Sequence, residues 1–213
     1  MGARIERIEI GASPERWRAA GFAVDDGGVC RLGQVAVQLV DDGGRGGIRA
    51  WSLSGVDLGD RAEVEGIATD AVDPSPVEEP ADTHANGTTH IDHVVLITPD
   101  LGRTIETLET IGPELRRIRD IGTPESPMQQ AFFRLDEVIL EVVGPPDRSN
   151  QEPARWYGLA LDVADLAQAT ALLGGRLGRI KDAVQPGRRI ATLHDAPDSL
   201  AVAVAFMDDG ATG

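Results

Sequence analysis

A strand followed directly by a capped helix, in residues 89–111, is the feature that most constrains how this chain folds. Residues 94–97 form a short aliphatic run rich in β-branched side chains, which is typical of a strand covered on both faces. Asp100 can cap a helix, because its carboxylate can accept hydrogen bonds from the free N–H groups of the first turn. Apolar residues then recur at helical spacing until Gly112. The stretch therefore predicts a buried strand, a short turn and an amphipathic helix.

The same order of strand, cap and helix recurs along the chain. Asp165 follows a second apolar strand as Asp100 follows the first, and further strands come after both helices. Residues 1–40 carry a weaker copy, in which Gln38 aligns with Glu141. Each copy is predicted to form a strand, a helix and three strands. A module of about 60 residues cannot bury both faces of such a sheet, so we expect modules to pair around a shared core and cavity.

Composition separates two parts of the chain at residues 73–87. This stretch is acidic and contains Pro74, Pro76 and Pro80, which is typical of a solvated linker. We therefore predict a degenerate N-terminal half at residues 1–72, a linker at residues 73–87 and a two-module domain at residues 88–208.

Charge and composition restrict the partners and the location of the protein. The net charge of −15 opposes binding to nucleic acid or to an anionic membrane surface. No apolar run approaches the roughly 20 residues of a membrane span, and residues 1–10 lack the apolar core of a signal peptide. The single cysteine, Cys30, excludes an intramolecular disulfide. We expect a cytoplasmic protein whose partner is a small molecule.

The order of these elements resembles the vicinal oxygen chelate superfamily, which contains glyoxalases, bleomycin resistance proteins and extradiol dioxygenases. The resemblance is carried by residues 91–95, which open one module, by Glu141 in its last strand, and by residues 159–166, which open the next. It covers residues 88–207 well and residues 1–58 loosely. It implies an α+β fold of paired βαβββ modules that form a curved mixed sheet around a cup. Modules could pair within the chain or across a homodimer.

The resemblance also implies a candidate metal site. By it, His93 and Glu141 project into the cup from neighbouring strands, where they could hold zinc, iron, nickel, cobalt or manganese. Such an ion could chelate adjacent oxygens of a substrate. The equivalent positions in the next module are Gly158 and Ala203, which have no donor side chain. A buried His–Glu hydrogen bond and a solvent-facing Glu141 are the alternatives. The other histidines, which do not stand at ligand positions of the family, are His84, His90 and His194.

Two further residues are candidates for ligand binding. Arg134 lies on a predicted hairpin strand with Phe132 and could bind an anionic ligand in the cup. The alternative is that Arg134 is an ordinary surface arginine. Tyr157 lies near the opening strand of the next module. No catalytic residue is assigned.

Three functions are compatible with these features of the sequence. The first is a protein that sequesters or senses a small molecule without chemistry. The second is a metal-dependent lyase, isomerase or dioxygenase with His93 and Glu141 as ligands. The third is a non-catalytic structural partner in a dimer. The missing donors at Gly158 and Ala203 favour the first function over the second.

Overall fold

The computed structural model describes residues 2–41, 43, 46–76, 83–146 and 151–208. In chain order its elements are β1 (Arg4–Ile10), α1 (Pro14–Ala19), β2 (Val29–Leu32), β3 (Val35–Leu39), β4 (Ile48–Ser54), β5 (Glu63–Val64), β6 (Ile67–Ala71), β7 (Thr88–Ile97), α2 (Leu101–Ile111), β8 (Leu115–Asp120), β9 (Gln129–Leu135), β10 (Val138–Gly144), β11 (Arg155–Val163), α3 (Leu166–Leu173), a 3-10 helix (Gly174–Arg176), β12 (Lys181–Asp182), β13 (Arg189–Leu193), α4 (Ala196–Ser199) and β14 (Ala203–Asp208).

The strands form two mixed sheets. The smaller has six strands in the order β2-β3-β1-β4-β6-β5, and the larger has eight in the order β12-β13-β14-β11-β7-β10-β9-β8. In the larger sheet β10 pairs in parallel with β7 and antiparallel with β9, and β11 pairs in parallel with β14. One strand, one helix and three strands therefore follow one another from β7 to β10. The second module of this sheet has the same order of strands and helix from β11 to β14. The predicted α+β fold of βαβββ modules is confirmed.

The two predicted helix caps are present. The Asp100 carboxylate accepts a hydrogen bond of 3.0 Å from the backbone N–H of Arg103 in α2. Asp165 accepts one of 2.8 Å from the N–H of Ala167 in α3. Gly112 follows α2 with φ at 126°, in the left-handed region that favours glycine, and so ends the helix where the sequence predicts.

The described chain forms two compact units. The first comprises Met1–Ile8, Arg49–Pro76 and His93–Tyr157, and the second comprises Glu9–Ile48, Val77–Asp92 and Gly158–Gly213. Each unit therefore draws on both sides of residues 73–87. The domain boundaries inferred from composition stay a prediction, because residues 77–82 of the linker lie outside the described residues.

Aromatic side chains pack against one another in each unit. In the first, Trp51 packs edge-to-face on Trp156, with ring centroids 5.0 Å apart. In the second, Phe22 contacts both Trp17 and Phe206, at centroid distances of 4.8 and 6.3 Å. Trp17 is fully buried.

The carboxyl end of the predicted linker is packed. His84 and Asn86 are both buried. Asn86 donates from its side-chain amide to the carbonyl of Ala20 at 2.9 Å. The N–H of Ala23 donates to Nδ1 of His84 at 2.9 Å, so the ring proton is on Nε2, which donates to the carbonyl of Arg31 at 2.8 Å. The prediction of a solvated segment is therefore wrong for these two residues, because backbone groups satisfy their polar atoms.

His84 is expected to make the stability of the protein depend on pH. Burial lowers the pKa of His84 below its usual 6.5, more than its hydrogen bond to the Arg31 carbonyl raises it. Because the folded-state pKa is lower than the unfolded one, the contribution is present above pH 6.5 and is lost as the pH falls through the folded pKa. Protonation of Nδ1 also breaks the contact with Ala23.

The measurement is urea denaturation of wild type and His84→Gln at pH 7.5 and 5.5. We expect His84→Gln to cost about 1–3 kcal/mol at the higher pH, because it disturbs buried hydrogen bonds, and less at the lower pH. The exposed His194 supplies the control substitution His194→Gln. An equal loss for His84→Gln at both pH values would contradict the prediction.

No helix within the described ranges is long and apolar enough to cross a membrane. The cytoplasmic location stays a prediction, as does pairing of this chain with a second copy.

Candidate functional site

His93 and Glu141 meet on one face of the larger sheet. The parallel register of β7 and β10 places Ile139 opposite His93 and Val95 opposite Glu141. The two polar side chains are therefore diagonal neighbours, and His93 Nε2 lies 3.7 Å from Glu141 Oε2. Their side chains are only 15% and 13% exposed. The expected proximity of the pair is confirmed, while its role as a metal site stays a prediction.

We call the side of β7, β8, β9 and β10 that carries these residues the His93 face. The opposite side of β10 is closed, since Val138, Leu140 and Val142 are buried. The residues that share the His93 face with Glu141 on β10 are Ile139 and Val143, and both are partly exposed. Glu141, the acidic residue in this apolar strand, thus points to the more exposed side of the sheet.

Gln130 holds the second oxygen of Glu141. Its side-chain Nε2 donates to Oε1 of Glu141, and its Oε1 accepts a hydrogen bond of 2.8 Å from Nε of Arg119. The Arg119 guanidinium also lies over the ring of Phe132, 5.9 Å from its centroid. Arg119, Gln130, Glu141 and His93 therefore form one connected row across β8, β9, β10 and β7. We call it the polar row.

The polar row offsets part of the cost of burying the Glu141 carboxylate. An unpaired carboxylate in an apolar strand would cost several kcal/mol or would take up a proton. In this structure one oxygen of Glu141 accepts from Gln130, and the other faces His93. Arg119 in turn orients the Gln130 amide, so that its N–H group points at Glu141.

Arg134 lies on the same face as the polar row. It is opposite Ile139 in the pairing of β9 with β10, and Ile139 is opposite His93. The side chain of Arg134 is exposed. Tyr157 lies on β11 and is 57% exposed. Binding of a ligand by Arg134 or Tyr157 stays a prediction.

Sequence reasoning missed Arg119 and Gln130. The only local signal is the alternation along β9, where Gln130 and Phe132 are partly exposed while Ala131 and Phe133 are buried. That pattern predicts a half-buried strand. It does not indicate which residue of β8 or β10 lies opposite Gln130.

The second unit has a polar cluster of its own. Nε2 of His90 lies 3.0 Å from Oδ2 of Asp162, and Nδ1 of His90 lies 2.9 Å from the Thr89 hydroxyl oxygen. Arg188 donates to both Asp162 and Asp92. His90 is therefore engaged by neighbours within its own unit, as His84 is by backbone groups.

The residues present do not fit a resident metal ion. Within the described residues, no three or more His, Cys, Asp or Glu side chains are grouped so that they could hold an ion. Gly158 and Ala203, at the positions of the missing donors, lie opposite each other in β11 and β14. A Cβ atom on Gly158 would lie 2.4 Å from the carbonyl oxygen of Ala203. Protein metal sites ordinarily use three or four donors, and His93 with Glu141 supplies two.

Comparison with known proteins finds similarity in structure. No family model matches the chain, and neither does any curated protein sequence. A mutant of 4-hydroxymandelate synthase from Streptomyces coelicolor is 14% identical, with a TM-score of 0.62 over 99% of this chain and 94% of that one. An extradiol ring-cleaving dioxygenase from B. fuscum is also 14% identical, with a TM-score of 0.65 over 96% of this chain and 71% of that one.

A methylmalonyl-CoA epimerase from Mycobacterium tuberculosis matches 60% of this chain and 93% of its own, at 19% identity and a TM-score of 0.45. At these identities the similarity of the synthase and the dioxygenase concerns the fold alone.

Proposed function

The chain has the vicinal oxygen chelate fold, and from this premise we propose that it binds a small molecule on the His93 face without a resident metal ion. The observation that carries the proposal is the polar row, in which four side chains from four neighbouring strands are joined on one partly exposed face.

The surroundings of the polar row suit an organic ligand. Val95, Ile139 and Val143 lie on the same face and are partly exposed, so apolar surface separates the polar groups. Small-molecule sites are typically apolar surfaces with a few precisely placed polar groups. The contacts of Gln130 with Arg119 and Glu141 fix those groups before any ligand arrives, which lowers the entropy lost on binding.

The polar row also favours small-molecule binding over a metal-dependent reaction as the function of this face. Both oxygens of Glu141 already contact protein groups. A metal ion at Glu141 would have to compete with Gln130 and His93 for these oxygens, and the described part of the chain groups no third His, Cys, Asp or Glu donor with them. The proposal assigns no catalytic residue.

The experiment is a small-molecule screen by thermal shift, followed by calorimetry with wild type, Gln130→Leu and His93→Phe. We expect ligands of the wild type to bind about tenfold more weakly to each variant, because one hydrogen-bonding group is removed. The control is Gln185→Leu, an exposed position in the second unit.

Ligands that bind all four proteins equally would contradict the proposal. Tight binding of a divalent ion to the wild type that is abolished in His93→Phe would instead support the metal-dependent alternative.

A further inference from the structure

We infer that the ligand of the His93 face is a small organic acid whose carboxylate binds Arg134. This inference rests on the function proposed above and names the chemical class of the ligand.

The His93 face differs in charge from the chain as a whole. The chain has 35 acidic and 20 basic side chains, so its net charge of −15 repels an anion. The pairing of β8 with β9 places Arg117 opposite Phe132 and Arg119 opposite Gln130, on the side of the sheet that carries Arg134. The His93 face thus has three arginines on β8 and β9, and Glu141 is the single carboxylate among its paired positions. This local reversal of charge favours an anionic ligand.

The guanidinium of Arg134 is available to a ligand. Arg119 is occupied by Gln130 and stacks over Phe132. Among the residues that the structure describes, none forms a hydrogen bond or ion pair with the guanidinium of Arg134. Arg134 is also exposed, so a ligand can reach its guanidinium. The planar guanidinium can donate two parallel hydrogen bonds to the two oxygens of a carboxylate.

The distance between the polar groups of the face limits the length of the ligand. Arg134, Ile139 and His93 lie opposite one another on three adjacent strands. Neighbouring strands are about 4.8 Å apart, so the backbone positions of Arg134 and His93 are separated by about 10 Å. Ile139 provides apolar surface between them. A ligand that spans this gap has a carboxylate at one end, a few carbons in the middle and a hydrogen-bonding group near His93.

The negative charge of Glu141 favours a carboxylate ligand over a phosphate ligand. It lies two residues along β10 from Ile139 and therefore close to the path of the ligand. A phosphate monoester carries almost twice the charge of a carboxylate at neutral pH, so it is repelled more strongly by Glu141. A singly charged acid fits the three arginines and the one carboxylate better.

The experiment compares three probes that differ in one end group. Binding of 5-hydroxypentanoate, 5-hydroxypentanamide and 4-hydroxybutyl phosphate to the full chain is measured by calorimetry or NMR titration. We expect the carboxylate to bind about tenfold more tightly than the amide, and salt to reduce the difference. Arg134→Gln should remove the difference, and Arg134→Lys should keep part of it.

The control variant is Arg116→Gln. Arg116 is an exposed arginine of β8 that pairs with Glu114 at 3.1 Å and stands outside the register that defines the His93 face. This substitution removes the same charge as Arg134→Gln and should leave the preference for the carboxylate unchanged.

Equal binding of carboxylate and amide, with both weakened in Gln130→Leu, would overturn the inference and leave the proposed function intact. Preference for the phosphate that depends on Arg134 would overturn the assignment to a carboxylate. Failure of all three probes to bind at about 10 mM would also overturn the inference, whereas the proposed function is decided by the library screen.

Discussion

Replacing Glu6 with alanine is expected to lower the free energy of unfolding by about 3–5 kcal/mol, the cost of breaking a buried ion pair. The Glu6 side chain on β1 is 5% exposed and lies against Arg4, whose Nε donates to Oε1 at 2.7 Å. Glu6 also accepts from the Ser54 hydroxyl at 2.5 Å and from the N–H of Ser75 at 3.2 Å. Without the carboxylate, Arg4 would remain mostly buried and would lose its anionic partner.

The control for this prediction removes both charges. The double variant Arg4→Met, Glu6→Leu should lose less stability than Glu6→Ala, because it leaves no buried charge unpaired. A double variant that is less stable than the single one would contradict this explanation.

The loss in Glu6→Ala should also depend on pH. Burial tends to raise the pKa of Glu6, but hydrogen bonds from Arg4, Ser54 and Ser75 outweigh it and hold the pKa below the usual 4.5. The folded-state pKa is therefore lower than the unfolded one. The stability that Glu6 contributes is present above pH 4.5 and is lost as the pH falls through the folded pKa. Urea denaturation of wild type and Glu6→Ala from neutral to acid pH should show their difference shrinking.

A side chain at Gly158 is expected to destabilise the protein by about 3 kcal/mol, near the upper end of what overpacking costs. A Cβ atom there would lie 2.4 Å from the carbonyl oxygen and 2.9 Å from the Cβ of Ala203. The backbone of β14 cannot move away freely, because its register with β11 pairs the buried Leu159 with the buried Val204. Thermal and urea unfolding of Gly158→Ala and Gly158→His would measure the loss.

The matched control for this prediction is Gly175→Ala. A Cβ atom at Gly175 would meet nothing within 4 Å, so this substitution should change stability little. If Gly158→Ala proved as stable as Gly175→Ala, the strands would have room for a side chain at that position. A stable Gly158→His that binds a divalent ion tightly would show that this fold can still accept a metal site.

Several elements could be predicted from the sequence because their causes are local. Asp100 and Asp165 cap helices through N–H groups two or three residues further along the chain. The alternation of side chains along a strand then places His93 with Val95, and Glu141 with Ile139.

The make-up of the His93 face depends on contacts between residues that are distant in sequence. Gln130 reaches Glu141 only because β9 and β10 pair in a particular register, and a shift of one residue would turn Gln130 to the opposite side of the sheet. Arg119 joins the row through a second register, which contains an irregularity between Leu115 and Arg117. Neither register follows from the amphipathic pattern of one strand.

The sequence by itself determined the repeated strand, cap and helix, the acid in the last strand of its module and the histidine in the first. The tertiary structure alone decided that Gln130 and Arg119 complete the polar row and that His84 is buried. It also decided that position 158 has no room for a side chain that could bind a metal ion. The physical reason is the range of the interactions. Helix caps and strand alternation act between near neighbours in the chain, whereas strand register and burial are set by the packing of segments that are far apart in sequence.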